Sequence, residues 1–390
     1  MARRISTGID IGTYQTKVVM VEEVQGTDGP GLRVIGTGVS ETAGMRQGYV
    51  VDVEDVAESV RKAKRQAEQM ARVNIRSGFL AIGGISLDET RASGTAIISR
   101  ADAEVTELDI EKAQESARQA ASPAFLNRRV LHEIPLVYTV DGVKSLGEPV
   151  GMKGTRLETE FLFVTCLESH VDALTNAVEN ADIEVVDCMA SPLAGSYVTL
   201  AKDQKMKGCV LANIGAETTS IVVYDEGVPV SVKVFPVGSS NITDELALAF
   251  RVSLEDAERI KLGRLSGAMY PKKKVDDISL SKSKTMFDYV DKHLKAIGKR
   301  GALPAGVILS GGGAGLNSIV DIARAQLALP ARVADIRVAA DAKMKDATWA
   351  IAYGLSLWGL TGETRAGSSQ KASFKEMKGS LSRFFRQFLP

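Results

Sequence analysis

Apolar positions along the chain follow two rhythms. In GIDIGTYQTKVV, residues 8–19, an apolar strand runs into a turn of acid, glycine and hydroxyl residues and leaves as a β-branched strand. In VVDVEDVAESVRKAKRQAEQMARV, residues 50–73, Val53, Val56, Val60, Ala63, Ala67 and Met70 recur at helical spacing opposite a charged face, which predicts an amphipathic helix with those side chains inward. SHVDALTNAVENA, residues 169–181, repeats that spacing, with Ser169 as its N-cap. KTMFDYVDKHLKAIGK, residues 284–299, is a further helix, and AIAYGLSLWGL at 350–360 closes the ordered pattern as an apolar helix whose Trp349 and Trp358 fill the core. Alternating strands and helices imply an α/β architecture with mostly parallel central strands.

The turn occurs twice. GIDIGTYQTKVVMVEE lies over LANIGAETTSIVVYDE, residues 211–226, without a gap, so that Asp10 falls on Asn213, Gly12 on Gly215 and Thr16 on Thr219. One such bend either cradles a phosphate on open backbone N–H groups or simply closes a hairpin; its repetition favours the first. A third glycine turn, VILSGGGAGLNSIVDIAR at 307–324, passes from a buried strand through Gly311, Gly312 and Gly313 into a helix, offering open backbone and a helix N-terminus.

Beyond Trp358 the apolar rhythm stops. TGETRAGSSQKA, residues 361–372, reads as a polar linker, and SFKEMKGSLSRFFRQFLP at 373–390 as an amphipathic helix. On a helical wheel Phe374, Met377, Leu381, Phe384, Phe385, Phe388 and Leu389 fall within an arc of about 140°, with Lys375, Arg383 and Arg386 outside it. A basic, aromatic-rich helix on a free linker suits an interfacial anchor in anionic lipid. Each apolar side chain gains at most about 1.5–3 kcal/mol on full burial, so one tail binds weakly and several on a polymer bind together. The competing readings are a helix docked on the body or one held in a partner's groove.

Bulk composition narrows the classes. The chain has 390 residues, enough for more than one core, and its 48 basic residues balance 48 acidic ones, which leaves no global pull toward nucleic acid. Cys166, Cys188 and Cys209 sit in apolar stretches and read as reduced, buried thiols of a cytosolic protein. The signal-peptide pattern is absent from the start of the sequence. His132 reads as packed, His170 and His293 fall in predicted helices, and no His/Cys cluster has metal-site spacing.

The three turns resemble the phosphate-1, phosphate-2 and adenosine motifs of the actin, Hsp70 and sugar-kinase superfold, in which two like domains clamp a nucleotide. GMRQGYVVDVE (44–54), LHEIPLVYTVDG (131–142), EPVGMKGTRLE (148–158), DAERIKLG (256–263) and ATWAIAYGLSLWG (347–359) are similar to the FtsA family of bacterial cell-division proteins along nearly the whole chain. LHEIP and PVGMKG are the most specific, since they lie in a small subdomain that other actin relatives lack.

The resemblance implies an actin-like ATPase fold with two domains around a nucleotide cleft. Its parts would be a first domain (1–84 and 164–203), the FtsA-type subdomain (85–163), a second domain (204–245 and 302–360), a shortened subdomain (246–301), the linker (361–372) and the membrane helix (373–390). It places Asp10, Gly12, Thr13, Thr16 and Lys17 in the first phosphate hairpin, with Asp10 holding Mg²⁺ through water. Asn213, Gly215, Ala216, Thr218 and Thr219 form the second, Gly238 borders the cleft, Glu258 and Lys261 flank the ribose or adenine, and Gly311, Gly312 and Gly313 lie against the nucleoside.

Its implied role is an ATP-binding filament that tethers FtsZ by the conserved tail of that protein to the cytoplasmic face of the cell membrane at the division site, and recruits later division proteins. A PilM-like scaffold of pilus assembly and a small-molecule kinase are the alternatives. NIGAETTS at 213–220 departs from the family's D-I-G-G-G-T-T-D: Asn213 replaces a carboxylate and Glu217 adds one, which points to slow hydrolysis or none. In the shortened subdomain, Lys272, Lys273, Lys274, Lys282 and Lys284 either meet an acidic peptide or belong to a solvated loop.

Overall fold

The structure, a computed structural model, describes residues 3–26, 29–336 and 346–362. The amphipathic helix at 373–390 lies outside these residues. So does the linker from 363; Thr361 and Gly362 instead end the last helix. None of the described helices is long and apolar enough to cross a membrane.

The chain opens with β1 (Arg4–Ile11), β2 (Gln15–Gly26) and β3 (Gly29–Glu41), then α1 (Val53–Ala71) and β4 (Ser77–Ile82). Strand β5 (Asp88–Ile97), helix α2 (Glu107–Ala121) and strands β6 (Arg128–Val140) and β7 (Arg156–Leu167) form a separate antiparallel sheet in the order β5-β7-β6, with the two-residue strand Val143–Lys144 paired at the outer edge of β6 and α2 on its face. The chain returns through α3 (Glu168–Glu179) and β8 (Glu184–Ala190), which completes the first sheet in the order β8-β4-β1-β2-β3.

After α4 (Ser191–Thr199) come β9 (Cys209–Ile214), β10 (Thr219–Asp225), β11 (Val228–Phe235), α5 (Ser240–Phe250), α6 (Leu254–Lys261) and α7 (Lys272–Ala296). Strand β12 (Val307–Ser310), α8 (Ile319–Leu327), β13 (Ala331–Val333) and α9 (Ala350–Gly362) follow, and the second sheet has the order β11-β10-β9-β12-β13. Reversed, that order is the first sheet's, and the match extends to register: Asp10 pairs with Lys17 and Ile11 with Thr16, as Asn213 pairs with Ser220 and Ile214 with Thr219. Each hairpin's first strand has a parallel neighbour, β4 beside β1 and β12 beside β9. The sheets are therefore mixed rather than mostly parallel, because a two-residue bend can only join antiparallel strands.

Between the halves run α4 and α9. A Cβ at Gly8 would stand 2.0 Å from the Ala352 carbonyl oxygen, and one at Gly354 would stand 2.0 Å from that of Ala194, so glycines let α9 press on β1 and α4 at backbone distance. Enclosure on all sides explains why α9 is apolar all round. Trp358 is buried in α9, whereas Trp349 belongs to the short 3-10 turn ahead of it and is only half-buried.

Four local expectations need correction. Met70 is 47% exposed, since α1 meets β3 through small residues: Gly38 allows the Ala63 carbonyl so close that a Cβ would stand at 1.8 Å. Ser169 is not a cap, because α3 begins one residue earlier. Helix α7 reaches back to Lys272, so Lys272, Lys273 and Lys274 form its first turn rather than a loop, with Lys274 over the Phe250 ring at 4.9 Å and Lys282 paired with Glu245 at 2.7 Å. Finally, the glycines at 312–315 form a 3-10 turn and α8 starts only at Ile319, so no α-helix N-terminus stands at Gly311–Gly313.

Candidate functional site

The two hairpin bends open onto one cleft of about 710 Å³ between the halves. Each is a four-residue turn closed by one backbone bond, Gly12 N–H to Gln15 O at 3.1 Å and Gly215 N–H to Thr218 O at 2.8 Å. A Cβ would stand 3.0 Å from Gln15 O at the first glycine and 2.9 Å from Thr218 O at the second, so both turns need glycine for the same reason. Among the described residues no backbone carbonyl accepts from the N–H groups of Thr13, Tyr14, Ala216 or Glu217, which leaves donors at both tips for an anion.

The symmetry includes the adjoining strand ends. Phe79 pairs with Gly8 as Ile308 pairs with Leu211, so Gly83 beyond β4 falls on Gly312 beyond β12; Gly84 (φ 83°) and Gly311 (φ 80°) are not equivalent positions, and all four glycines line the cleft. The sequence reading missed Gly83 and Gly84, although LAIGG repeats the signal of VILSGG, an apolar run stopped by paired glycines.

Asp10, Gly12, Thr13, Lys17, Asn213, Gly215, Ala216, Thr218, Glu258, Lys261, Gly311 and Gly312 line the cleft. Four predicted residues do not. Thr16 is buried on the opposite face of β2 and shares a 2.8 Å hydrogen bond with Thr42. Thr219 is likewise buried and donates to Val237 O at 2.8 Å. Gly313 packs against Ile214, and Gly238 stands behind the second bend, where a Cβ would be 2.3 Å from Ala216 O. Gly238→Ala is therefore expected to force that bend forward at a cost of about 1–3 kcal/mol, read as a lower Tm in thermal melting.

The cross-strand pair Asp10 and Lys17 dominates the electrostatics. Asp10 keeps a partly accessible edge, but burial raises its carboxyl to about 6 against the pull of Lys17. Burial lowers Lys17 as well, opposed by Asp10 and Asp346, and its Nζ stands 5.8 Å from the Trp349 ring centroid. A carboxylate held at this cost is one that a cation's hydration shell would relieve, so Asp10 fits a hydrated Mg²⁺. Asn213 presents a neutral amide at the equivalent place, its Oδ1 accepting from Ser310 Oγ at 3.3 Å.

At the far end Lys261, almost wholly buried, donates to Thr243 Oγ1 at 2.9 Å and pairs with Glu258 at 2.6 Å, while Thr243 donates to Glu258 at 2.6 Å. That triad fixes two polar side chains on α6 against α5, beside the unpredicted lining residues Arg259 and Arg264. Chemically, the cleft offers backbone donors and a cation at one end and a fixed polar cluster at the other, room for an elongated anion. Among the described residues no group of His, Cys, Asp and Glu is arranged to hold a metal by protein ligands alone.

Comparison with known proteins agrees with this architecture. The family profile described as Cell division protein FtsA matches residues 210–354, and that of the SHS2 domain inserted in FTSA matches residues 87–165, the separate antiparallel sheet. Cell division protein FtsA of Pseudomonas aeruginosa is 30% identical over 351 residues, covering 85% of this chain and 82% of that one. The Bacillus subtilis protein of that name is 28% identical over 347 residues, covering 84% and 77%.

Among solved structures, the PilM-PilN type IV pilus biogenesis complex superposes with a TM-score of 0.69 at 18% identity over 91% of this chain and 98% of that one. MreB5 of Spiroplasma citri bound to ADP gives 0.54 at 14% over 94% and 99%. These likenesses are of fold. An actin-like body of two matched halves, an inserted sheet where the SHS2 profile falls, and 30% identity along most of a relative's length together make this chain a member of the FtsA family of cell-division proteins.

Proposed function

We propose that the chain binds ATP with Mg²⁺ in the cleft, polymerises into actin-like filaments, and tethers FtsZ filaments, by the tail of that protein, to the cytoplasmic face of the cell membrane at the division site, where later division proteins join it. The observation that carries this reading is the convergence of both bends, with Asp10 and Lys17, on one cleft. Solved neighbours of the same fold described as bound to ADP and to AMPPNP support it. Thr13, Tyr14, Ala216 and Glu217 supply the N–H groups for phosphate oxygens, Lys17 the counter-charge, Asp10 the hold on hydrated Mg²⁺, and Glu258 and Lys261 the contacts to ribose or adenine. Bound Mg²⁺ would neutralise phosphate charge. With Asn213 in place of a carboxylate, hydrolysis is slow or absent.

The membrane step rests on residues 373–390. The full chain is expected to sediment with anionic vesicles and to form filaments on lipid monolayers by electron microscopy when ATP is added. The chain ending at residue 372 should lose vesicle sedimentation while keeping nucleotide uptake. Unchanged vesicle binding by the shortened chain would end the anchor reading; absence of nucleotide uptake by calorimetry would end the cleft reading.

A further inference from the structure

The second bend also touches the opposite half. The backbone N–H of Gln47 donates to the carboxylate of Glu217, a bond between segments 170 positions apart. Gln47 lies in the loop between two short paired strands, Met45–Arg46 and Tyr49–Val50, and that loop is firmly seated in the first half. Gly48 lies so near Gly84 that a Cβ would stand 2.3 Å from its Cα. The Tyr49 ring is 4.9 Å from that of His170, whose Nε2 is 3.1 Å from Gly83 O. The bend is backed with equal firmness, since Ser239 N–H donates to Gly215 O at 3.0 Å and Ser240 N–H to Ala216 O at 2.7 Å. Two rigid pieces from opposite walls are thus joined through one carboxylate, and Glu217, Gly48 and Gly84 all line the cleft.

We propose that Glu217 is a specificity-determining latch: its carboxylate ties the two halves across the cleft, weights the site against the more highly charged nucleotide, and is released from Gln47 when a triphosphate binds. This deepens the reading of the cleft as a nucleotide site and rests on it. A fixed carboxylate beside the N–H donors at Ala216 and Glu217 competes for the ground a phosphate oxygen would take, and two anions in a partly enclosed site repel more strongly than in water. The bond to Gln47 lies near solvent, where such contacts are weak, so it is the element that yields. The other charges at the cleft, Lys17, Arg259, Lys261 and Arg264 against Asp10, Asp244, Glu255 and Glu258, are unchanged by the substitutions that test this.

The test combines calorimetry with amide hydrogen exchange on the full chain. Glu217→Gln keeps an acceptor for Gln47 and removes the charge, so the ratio of ATP to ADP affinity should rise by about tenfold, while exchange across residues 45–50 without nucleotide stays near that of the parent. Glu217→Ala should raise that exchange, and ATP with Mg²⁺ should raise it in the parent more than ADP does. An unchanged affinity ratio in the Gln variant, or unchanged exchange at 45–50 in a folded Ala variant, would overturn the proposal. If the parent takes up neither nucleotide, the nucleotide reading and the specificity claim fail together, and the Ala comparison still decides whether the latch exists.

Discussion

Asp10→Asn is expected to make the protein more stable and, at the same time, nearly blind to Mg²⁺. Burial holds the carboxyl of Asp10 at about 6 against an ordinary value of 3.8, with Lys17 opposing the shift only in part. The sign follows. A folded-state pKa above the unfolded value means the native protein binds the proton more tightly, so stability is fullest below about 4 and is lost as pH rises through about 6. At pH 7.5 the ionised carboxylate is a standing cost; its partly accessible edge reduces that cost to about 1–2 kcal/mol. The Asn variant should therefore melt about 1–3 °C above the parent at pH 7.5 without nucleotide. The gap should close by pH 4–5, where the parent's Asp10 is itself protonated.

The other half of this prediction concerns binding. If Asp10 holds hydrated Mg²⁺ beside the phosphates, its loss should weaken Mg-ATP by about 10–100-fold, the usual effect of losing an outer-shell partner. Affinity for ATP in chelator should hardly move. In the parent, the Mg²⁺-dependent share of affinity should decline as pH falls below about 6, because a protonated carboxyl no longer accepts from metal-bound water. Calorimetry with and without Mg²⁺, at pH 5.5 and 7.5, checks all of this. An Asn variant that is less stable and binds Mg-ATP normally would move Asp10 from the site to the scaffold.

The sequence already showed that the hairpins match, because the match is local: a glycine closing a four-residue turn and β-branched strands on either side. The register of Asp10 with Lys17 and of Asn213 with Ser220 repeats what the ungapped overlay implied. Which side chains face the cleft is legible too, from the alternation of a strand's two faces. Partners across a hairpin share a face and successive residues alternate, so if Asp10 and Lys17 face the ligand, Thr16 cannot. The same argument sends Thr219 inward and turns Ser220 to the cleft, where it is found. Other features lay beyond local pattern. That Gly238 supports the bend from behind, and that Glu217 finds Gln47, depends on contacts between segments far apart in the chain. The start of α7 at Lys272 was obscured because three lysines read as solvated loop, whereas one of them has its Nζ over Phe250 and donates to Ala249 O at 3.1 Å.

Asn213→Asp is expected to raise phosphate release from Mg-ATP at the proposed nucleotide site. The overlay puts Asn213 where the first hairpin has Asp10, and the structure holds its amide at the cleft, Oδ1 against Ser310 Oγ and so near Gly311 that a Cβ there would stand 2.6 Å away. An amide can orient a water through its oxygen but cannot take a proton; a carboxylate can do both. Because Ser310 and Gly311 already fix the group, the substitution changes charge with little change of shape. A positioned acid or base typically contributes 10²–10⁴-fold, and the extra negative charge in the cleft that Asp10 and Glu217 also line works against phosphate binding, so a net gain of about tenfold or more in phosphate release is expected. The new carboxyl is partly buried, which raises its pKa. The gain should therefore grow as pH rises, in contrast to a flat, low profile for the parent. Robust phosphate release by the parent would show instead that another group activates the water, and Glu217 is the acidic side chain next to examine.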